Sequence, residues 1–410
     1  MTVSVGYASG ASASSCGYCS PPGERSSSPS SHHSAGLDAM QLSCPVYQAM
    51  IDRGWRRSGT WCYKPDLKKS CCPQYTIKLD ALTFEPSKSH RKLLRRWNNH
   101  IRHGKPGDVM DVDSSVSGGK QGKSKGLPKF SLTSAIHASE SGFHDIERPA
   151  HTFETILEPS AFTDEKYALY EKYQQEIHHD TGNTPRGFKR FLVSSPLRGD
   201  PIPYSSPPSA HLPKTYGSYH QMYRVDGKLI AMAVLDILPK CVSSVYFMYD
   251  KDWEAYSLGK LSAMREACLA REMHEAGAKD MAFLYMGFYI YSCQKMRYKG
   301  EYAPSYLADP ETYDWYPLAQ CKNLLEKNRY ACFAHRDHSV EGDFDREDPP
   351  PELPSEDDQA DIQIVGEIVN GVLLTVPLKN YTAPYSQQEL AECIDGLGLE
   401  LAKQVVFAIY

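Results

Sequence analysis

The chain has 410 residues, of which 50 are acidic and 45 basic, with a net charge of −5 and 41% hydrophobic residues. This length predicts two or three domains with a sizeable core, and the acidic balance excludes a chain that binds nucleic acid over its whole surface. No apolar run reaches the roughly 20 residues of a membrane span. Residues 1–40 lack the basic and apolar regions of a secretory signal, so the 12 cysteines are expected as free thiols or ligands in a reducing compartment.

Two cysteine pairs near the N-terminus are candidate metal ligands. Cys16 and Cys19 have C-x-x-C spacing, which places two thiolates on one tight turn, and the adjacent Cys71 and Cys72 follow later. Four such thiolates can complete a tetrahedral site for zinc, or can hold an iron–sulfur cluster. The alternatives are reduced, partly buried thiols and a vicinal redox pair. Because four thiolates fill the coordination of a single ion, we expect a structural or regulatory site rather than a catalytic one.

Composition divides the chain into three parts. Residues 1–103 form a cysteine-rich, basic domain, and residues 104–150, rich in Gly, Ser and Lys, are expected to be a flexible linker or insertion. Residues 151–410 form the second domain, with an acidic loop over 339–362 that is expected to extend into solvent.

A basic helix is predicted after Pro86 and Ser87. Its apolar positions, spaced for one buried face, are Leu93, Leu94, Trp97 and Ile101. Its other side and the nearby chain carry the cations Lys88, Arg91, Lys92, Arg95, Arg96, Arg56 and Arg57. Such a surface is typical of contacts to a phosphate backbone, and the alternative is an ordinary solvated helix face.

The sequence predicts the order of helices and strands in the second domain. A helix opens at Thr163, a hairpin turns at Asp226-Gly227, a strand covers Val242–Tyr249, a long helix follows Ser257, and another strand covers Met281–Tyr289. A capping box, Ser386-Gln-Gln-Glu389, starts a late helix. This α+β order resembles the acyl-CoA N-acyltransferase-like (GNAT) fold.

Three sets of residues are candidates for chemistry. Asp236 lies in an otherwise apolar strand, where its pKa can rise into the range of a general base; the alternative is a structural Asp that binds local backbone amides. His220 is an alternative base, although a core histidine is the more frequent case. Lys295, Arg297 and Lys299 lie beside tyrosines and can hold a carboxylate or a phosphate; the alternative is exposed loop charge.

The motifs resemble those of the eukaryotic arginyl-tRNA–protein transferases. The resemblance covers both domains in order and rests on Cys16-Gly-Tyr-Cys19, Asp52-Arg-Gly-Trp-Arg-Arg-Ser-Gly59, Cys71-Cys-Pro-Gln-Tyr-Thr-Ile77, Pro86-Ser-Lys-Ser89, Phe188-Lys-Arg-Phe-Leu192, Asp226-Gly-Lys-Leu-Ile230, Asp236-Ile-Leu-Pro-Lys-Cys-Val-Ser-Ser-Val-Tyr246, Met286-Gly-Phe-Tyr-Ile290, Met296-Arg-Tyr-Lys-Gly300 and Pro310-Glu-Thr-Tyr313. The chain departs from the family after Cys19, where a Ser/Pro/His-rich stretch replaces the expected Trp-Ala-His. Residues 104–150 and the acidic loop look like insertions.

The resemblance implies an enzyme that transfers arginine from arginyl-tRNA to the α-amine of proteins beginning with Asp, Glu or oxidised Cys, which marks them for ubiquitin-dependent degradation through the N-degron pathway. It implies a GNAT-like C-terminal half, zinc or an iron–sulfur cluster at the N-terminal cysteines, and a cytoplasmic or also nuclear location. Cys44 and Cys62 lie outside the family motif and are weaker candidate ligands. The tRNA ester is already activated, so neither ATP nor acetyl-CoA is expected to be required.

On this basis each candidate has an expected role. Asp236 is expected near the reacting amine, as a base or as a partner of the incoming guanidinium, with His220 as the alternative base. Expected substrate-binding residues are Lys295, Arg297, Tyr298, Lys299, Arg186, Lys189, Arg190, Ser243, Ser244 and Tyr246. Expected tRNA-binding residues are Lys88, Arg91, Lys92, Arg95, Arg96, Arg56 and Arg57.

Two other functions remain open. An acetyl-CoA-dependent N-acetyltransferase needs a pyrophosphate loop before the central helix, of which Ser257-Leu-Gly-Lys260 is only a remnant. A metal-stabilised RNA-binding protein without catalysis also fits the basic helix and the cysteines.

Overall fold

The computed structural model describes residues 2–19, 23–104, 130–143, 148–342 and 349–409. Their strands are β1 Ser4–Ser14, β2 His32–Ser43, β3 Arg56–Ser58, β4 Trp61–Pro65, β5 Tyr75–Asp80, β6 Phe153–Pro159, β7 Leu197–Arg198, β8 Gly217–Val225, β9 Lys228–Ile237, β10 Cys241–Tyr249, β11 Phe283–Tyr289, β12 Ser305–Ala308, β13 Trp315–Pro317, β14 Gln363–Val369, β15 Val372–Pro377 and β16 Val405–Ala408. Their helices are α1 Cys44–Asp52, α2 Lys88–His103, α3 Leu132–Ile136, α4 Asp164–Tyr173, α5 Pro185–Phe188, α6 Leu258–Glu275, α7 Gln294–Arg297, α8 Leu318–Lys327, α9 Glu356–Gln359, α10 Gln387–Leu397 and α11 Leu399–Ala402.

The first sheet joins the two ends of the chain. Its strand order is β15-β14-β16-β1-β2-β4-β3, with β7 paired to β2. The hairpin of β1 and β2 is antiparallel, whereas β16 runs parallel to β1. Helices α1 and α10 pack on this sheet, and the core between them includes Tyr47, Trp55 and Phe407.

The second sheet carries most of the larger core. Its order is β13-β12-β5-β11-β10-β9-β8-β6, so β5 from the N-terminal part of the chain lies between β11 and β12. Helix α6 packs on β10 and β11 on one face of the sheet, and α4 packs on β9 and β10. The β10–β11 pair is parallel, while the pairs from β10 through β9 and β8 to β6 are antiparallel. The protein is therefore a mixed α+β structure built on two mixed sheets.

The basic helix has the predicted apolar face. The Ser87 hydroxyl accepts a hydrogen bond from the His90 N–H, which caps α2, and the helix ends at Gly104 with φ +73°. Leu94, Trp97 and Ile101 are buried in the larger core. Removing this stripe of apolar area from water fixes α2 against the second sheet.

Most predicted elements of the second domain are confirmed, including α4, the β8–β9 hairpin, β10, α6 and β11. Thr163 caps α4, and Ser386 caps α10 by accepting from the Glu389 N–H. Ser257 precedes α6 as predicted, but its φ is +51° and its side chain makes no capping hydrogen bond.

Part of the predicted linker belongs to the core. Leu132 and Ile136 of α3 are buried in the larger core, and α3 packs on α6. Within the predicted linker or insertion, residues 130–143 therefore include a packed element, because their few apolar residues are spaced to bury one side of a short helix. Residues 105–129 and 144–147 lie outside the described part of the chain.

The predicted division into domains does not follow the sheets, since strands from both sides of residues 104–150 share each sheet. The division itself stays a prediction. In the described part of the acidic loop, α9 is held by Lys403, whose Nζ lies 3.2 Å from Asp358 and 3.4 Å from Asp361. None of the helices in the described residues is long and apolar enough to cross a membrane.

Candidate functional site

The second sheet opens between β10 and β11. These strands pair only through Cys241–Phe283, Val242–Leu284 and Ser243–Tyr285. Beyond these pairs, β10 has an irregularity against β9 between Ser244 and Tyr246, and β11 has one against β5 between Tyr285 and Phe288. Because bulges bend strands and break the ladder, the two strands separate toward their C-terminal ends.

Two buried cations hold the bulge of β11. Gly287 has φ +70°, a conformation that favours glycine. Arg56 donates to the Gly287 carbonyl at 3.2 Å, and Lys299 donates to the Phe288 carbonyl at 2.7 Å. Burial, with the nearby Arg56 charge, lowers the pKa of Lys299 to about 7. Both side chains are less than a tenth exposed, so Arg56 does not fit its predicted contact to tRNA.

A buried carboxyl group lies behind the opening on the side of α6. Glu266 is 2% exposed and accepts a hydrogen bond from the Ser262 hydroxyl at 2.6 Å, and the Ser244 hydroxyl is near enough to lower the pKa of Glu266. Burial raises the pKa of Glu266 above its ordinary value. Glu266 is not among the residues predicted from the sequence, although an acidic residue among the apolar positions of a long helix is a signal of a buried acid.

An open cleft of ≈ 660 Å³ lies at the start of α6. It combines cations with tyrosines, and its lining residues are Lys260, Tyr289, Tyr291, Gln294, Arg297, Tyr298, Gly300, Glu301 and Lys322. Of the predicted substrate-binding residues, Arg297 and Tyr298 line this cleft, whereas Lys299 is buried beneath it.

The basic helix α2 contacts Tyr302, which follows the cleft residue Glu301 in the chain. His90 stacks on Tyr302 with ring centroids 4.8 Å apart, and burial together with the Lys260 charge lowers the pKa of His90. The predicted tRNA-binding residues Lys88, Lys92, Arg95 and Arg96 are exposed on α2, and Arg91 is half-buried against Phe130. Lys260 of the cleft is therefore close to α2, and the outer side of α2 carries the exposed cations.

The face of the second sheet opposite α6 carries aromatic side chains, and exposed cations lie near them. The Tyr246 hydroxyl accepts a hydrogen bond from the Gln174 amide at 2.8 Å, and its ring lies 5.2 Å from that of Phe191. The predicted residues Arg186, Lys189 and Arg190 are exposed next to Phe191 in the chain. Of the two predicted serines on β10, Ser243 is 2% exposed and Ser244 is half-buried against Glu266.

The four predicted metal ligands meet in one place. The Sγ atoms of Cys16, Cys19, Cys71 and Cys72 all lie within 4.8 Å of one another. Ser31 holds both cysteine loops, because its hydroxyl accepts from the Cys16 N–H and its carbonyl accepts from the Cys71 N–H, each at 2.9 Å.

The spacing of the sulfurs fits a metal ion. Around one zinc ion with Zn–S bonds of about 2.3 Å, tetrahedral thiolates stand ~3.8 Å apart. The Cys71 and Cys72 sulfurs are 3.9 Å apart, and those of Cys19 and Cys71 are closer, at 3.1 Å. Burial and the neighbouring thiols raise the pKa of Cys71 to about 12. Four thiolates at this distance repel each other unless a cation neutralises them, so these residues could hold a metal ion.

The cysteine cluster packs against the chain that leaves β11. Ile290, the buried Cys293 and Met296 contact the four cysteines in one apolar cluster. The predicted substrate residue Lys295 donates to the Gly23 carbonyl at 3.2 Å, which ties α7 to the first cysteine loop. The cluster therefore supports the segment that carries Arg297 and Tyr298.

The expected catalytic role of Asp236 does not fit its surroundings. Asp236 is fully buried and forms a bidentate pair with Arg57, with Nη2–Oδ1 at 2.6 Å and Nε–Oδ2 at 2.8 Å, and the Ser218 hydroxyl donates to it as well. Burial lowers the pKa of Arg57, but the Asp236 carboxylate outweighs it and raises that pKa above the ordinary value. Asp236 therefore binds a guanidinium of its own chain, and Arg57 has no access to tRNA.

His220 is a core histidine. It is fully buried, its Nδ1 lies 3.1 Å from the Lys166 Nζ, and its Nε2 lies 3.0 Å from the Leu192 carbonyl. Burial lowers the pKa of His220 to about 4. Since the Lys166 ammonium is a donor and the Leu192 carbonyl an acceptor, both ring nitrogens are occupied and the imidazole is no base for a substrate.

Comparisons with known proteins cover most of the chain. Residues 14–92 match the model of the family "Arginine-tRNA-protein transferase, N terminus", and residues 165–309 match the corresponding C-terminus model. Arginyl-tRNA–protein transferase 1 of Drosophila melanogaster is 32% identical over 80% of this chain and 86% of that protein. The Arabidopsis thaliana protein of the same name is 29% identical over 77% and 73% of the two chains. An aspartate/glutamate leucyltransferase of Stutzerimonas stutzeri is 28% identical over 65% and 82%.

The Arg57–Asp236 pair predicts a stability effect rather than a catalytic one. Asp236→Asn leaves the buried guanidinium without a countercharge, so we expect the free energy of unfolding to fall by about 3 kcal/mol. Urea unfolding measures this loss, and the double variant Arg57→Met/Asp236→Leu is expected to regain most of it. A variant of unchanged stability that has lost turnover per folded molecule would show instead that Asp236 contacts substrate.

Proposed function

The chain belongs to the arginyl-tRNA–protein transferase family, and we propose that it transfers the arginyl group of arginyl-tRNA to the N-terminal α-amine of proteins that begin with Asp, Glu or oxidised Cys. The observation that carries this proposal is the opened β10–β11 pair, with a cleft of cations and tyrosines on one side. The product N-terminus is then a degradation signal of the N-degron pathway in the cytoplasm, and also in the nucleus.

The second sheet supports a GNAT-like arrangement for this chemistry. Helix α4, the antiparallel strands β8, β9 and β10, the central helix α6 and the parallel strand β11 follow each other in the order expected from the sequence. An opening between the last two strands lets two substrates approach from opposite faces of one sheet. We assign the cleft at the start of α6 to the tRNA and the face of Tyr246 to the acceptor protein.

The cleft suits the single-stranded 3′ end of a tRNA. Tyrosine rings stack on bases, and cations neutralise phosphates, which is the common basis of single-strand binding. Lys260, Arg297 and Lys322 supply the charges, and Tyr289, Tyr291 and Tyr298 supply the rings. The exposed cations of α2 continue this charge toward the body of the tRNA.

The face of Tyr246 suits an acidic N-terminus. Arg186, Lys189 and Arg190 are exposed beside it, and Arg can bind an Asp or Glu carboxylate through two parallel hydrogen bonds. Lys295 on α7 is also close to this face, because its charge lowers the pKa of His178, which contacts the Tyr246 hydroxyl.

The reaction needs no cofactor to activate the acyl group. The α-amine nitrogen forms a bond to the arginyl carbonyl carbon, the ester bond to the ribose oxygen breaks, and that oxygen takes up a proton as the amine loses one. An α-amine with a pKa of about 7.7–8.0 is partly neutral at pH 7, so the main contribution of the protein is to position the two substrates. This is consistent with the burial of both predicted bases.

For the cysteine cluster we propose a single tetrahedral ion, with zinc as the best fit and an iron–sulfur cluster as the alternative. The four sulfurs all lie within 4.8 Å of one another, which is close enough for one ion, whereas the thiolates of a cluster bind different irons and stand farther apart. The bound ion would supply a cross-link between two loops that contain little secondary structure. Its place against Ile290 and Cys293 makes it a support of the substrate region.

A direct assay tests the proposed transfer. The protein is incubated with tRNA that carries labelled arginine and with peptides that differ only in beginning with Asp, Glu or Ala, and label in the peptide is measured. We expect transfer to the two acidic peptides without added ATP or acetyl-CoA. Binding of tRNA without any transfer would favour a non-catalytic RNA-binding protein, and peptide acetylation with acetyl-CoA would favour an N-acetyltransferase.

Variants in the cleft test the tRNA assignment. Replacing both Arg297 and Lys322 by Ala is expected to weaken tRNA binding and to reduce the slope of log K against log salt by ~0.7 for each lost phosphate contact. Fluorescence anisotropy over a salt series measures the slope. The control is Lys327→Ala, an exposed lysine at the end of the same helix as Lys322. An unchanged slope in the double variant would reject this cleft.

Metal content tests the cysteine cluster. We expect about one equivalent of zinc per chain, lost in Cys71→Ser and also in Cys72→Ser, because each removes one of four ligands. Elemental analysis of the purified protein measures it, and Cys44→Ser, a buried thiol outside the cluster, is expected to keep the metal. Iron together with inorganic sulfide would instead support an iron–sulfur cluster.

A further inference from the structure

One buried carboxyl group differs from all others in the described part of the chain. The acidic residues less than a tenth exposed there are Glu140, Asp236, Asp250, Glu266 and Asp309. Glu140, Asp236 and Asp250 each contact an Arg or Lys, and Asp309 accepts backbone N–H bonds. Beside Glu266 there are hydroxyl groups instead: Ser262 donates a hydrogen bond to it, and Ser244 is near enough to lower the pKa of Glu266. It is thus the buried acid that neither a cation nor a backbone amide satisfies.

Glu266 lies where the substrates would meet. Its partner Ser244 is the first residue of β10 beyond the last β10–β11 pair. On the other side, the carboxyl group is close enough to Tyr298 and Tyr302 that its charge contributes to raising the pKa of both phenols, although burial is the larger cause. Tyr298 lines the cleft, and the Tyr302 hydroxyl is buried with no hydrogen-bond partner in the described residues.

The energetics favour a cationic ligand for this carboxyl group. Burial of a carboxyl group without a countercharge favours its neutral form, since ionisation in an apolar site is costly. A guanidinium brought against it restores an ion pair and adds up to two parallel hydrogen bonds. Ser244 and the two phenol oxygens can accept further N–H groups, and a guanidinium has five of them.

We propose that Glu266 binds the guanidinium of the arginyl group and so selects arginine as the amino acid that is transferred. This inference rests on the proposed function and adds the residue that recognises the cargo. In this arrangement the 3′ end of the tRNA lies in the cleft, the ester lies at the opening between β10 and β11, and the arginine side chain passes Ser244 to reach α6.

A neutral isostere of arginine tests the inference. One tRNA is charged in separate samples with arginine or with citrulline, whose side chain has nearly the same shape but no charge, and kcat/KM for transfer to an Asp-starting peptide is measured. We expect the wild-type protein to prefer arginine strongly. In Glu266→Gln, which keeps the size and the hydroxyl partners, kcat/KM for arginine is expected to fall about 100-fold, while the value for citrulline changes little.

Matched variants separate recognition from folding. Glu275→Gln changes an exposed acid on the same helix and is expected to keep the wild-type preference. Thermal unfolding is recorded for each variant. If Glu266→Gln is unstable, Ser244→Ala serves instead, because it removes the hydroxyl group that lies near the Glu266 carboxyl group. We expect Ser244→Ala to reduce the preference for arginine over citrulline by a smaller factor. An unchanged arginine-to-citrulline ratio in the folded variant, or equal use of both by the wild type, overturns the inference. Transfer of neither cargo by the wild type would instead reject the proposed function.

Discussion

The early end of pairing between β10 and β11 is the constraint on which the rest of the site depends. Backbone groups released from a ladder must find other partners, because a buried, unpaired carbonyl is costly. At the bulge of β11 those partners are Arg56 and Lys299, which donate to the carbonyls of Gly287 and Phe288. Arg56, predicted from the sequence to bind tRNA, and Lys299, predicted to bind substrate, thus keep the sheet open, and the opening forms the candidate site.

The N-terminal part of the chain completes this arrangement rather than standing apart from it. Strand β5 covers the outer edge of β11, and the cysteine cluster packs on Ile290 and Cys293 where the chain leaves that strand. A metal ion held by these cysteines would fix the start of α7, which carries Arg297 toward the cleft. The cluster can therefore influence transfer without touching a substrate.

The sequence was sufficient wherever the signal was local. Caps at Ser87, Thr163 and Ser386 and the Asp226-Gly227 turn specify backbone geometry within a few residues, and the structure has them. The C-x-x-C spacing likewise indicated that Cys16 and Cys19 lie close together, and both belong to the cluster of four cysteines. The apolar stripe of α2 followed from its period of 3.6 residues.

Long-range partners could not be predicted in this way. Nothing near Arg57 indicates that its partner is Asp236, 179 positions along the chain, and a period-2 pattern does not say that β5 lies between β11 and β12. The same limit applies to α3, whose few apolar residues became a core element only through contact with α6. The sequence does not distinguish a charged residue in a solvated loop from one in a buried ion pair. The basic composition therefore overstated the surface available to tRNA, since Arg56 and Arg57 are buried.

Asp236 and Glu266 differ in how their buried carboxyl groups are balanced by the rest of the chain. Both are acidic residues in apolar stretches, and both are almost fully buried. Asp236 is neutralised by Arg57, so its charge is accounted for by the folded chain, and its removal is expected to cost stability. Glu266 contacts no cation among the described residues, and burial raises the pKa of Glu266, so a cation that arrives from outside would favour its ionised form. In an enzyme whose cargo carries a guanidinium, a buried acid without an internal partner is the more informative of the two, although Asp236 is the more conspicuous in the sequence.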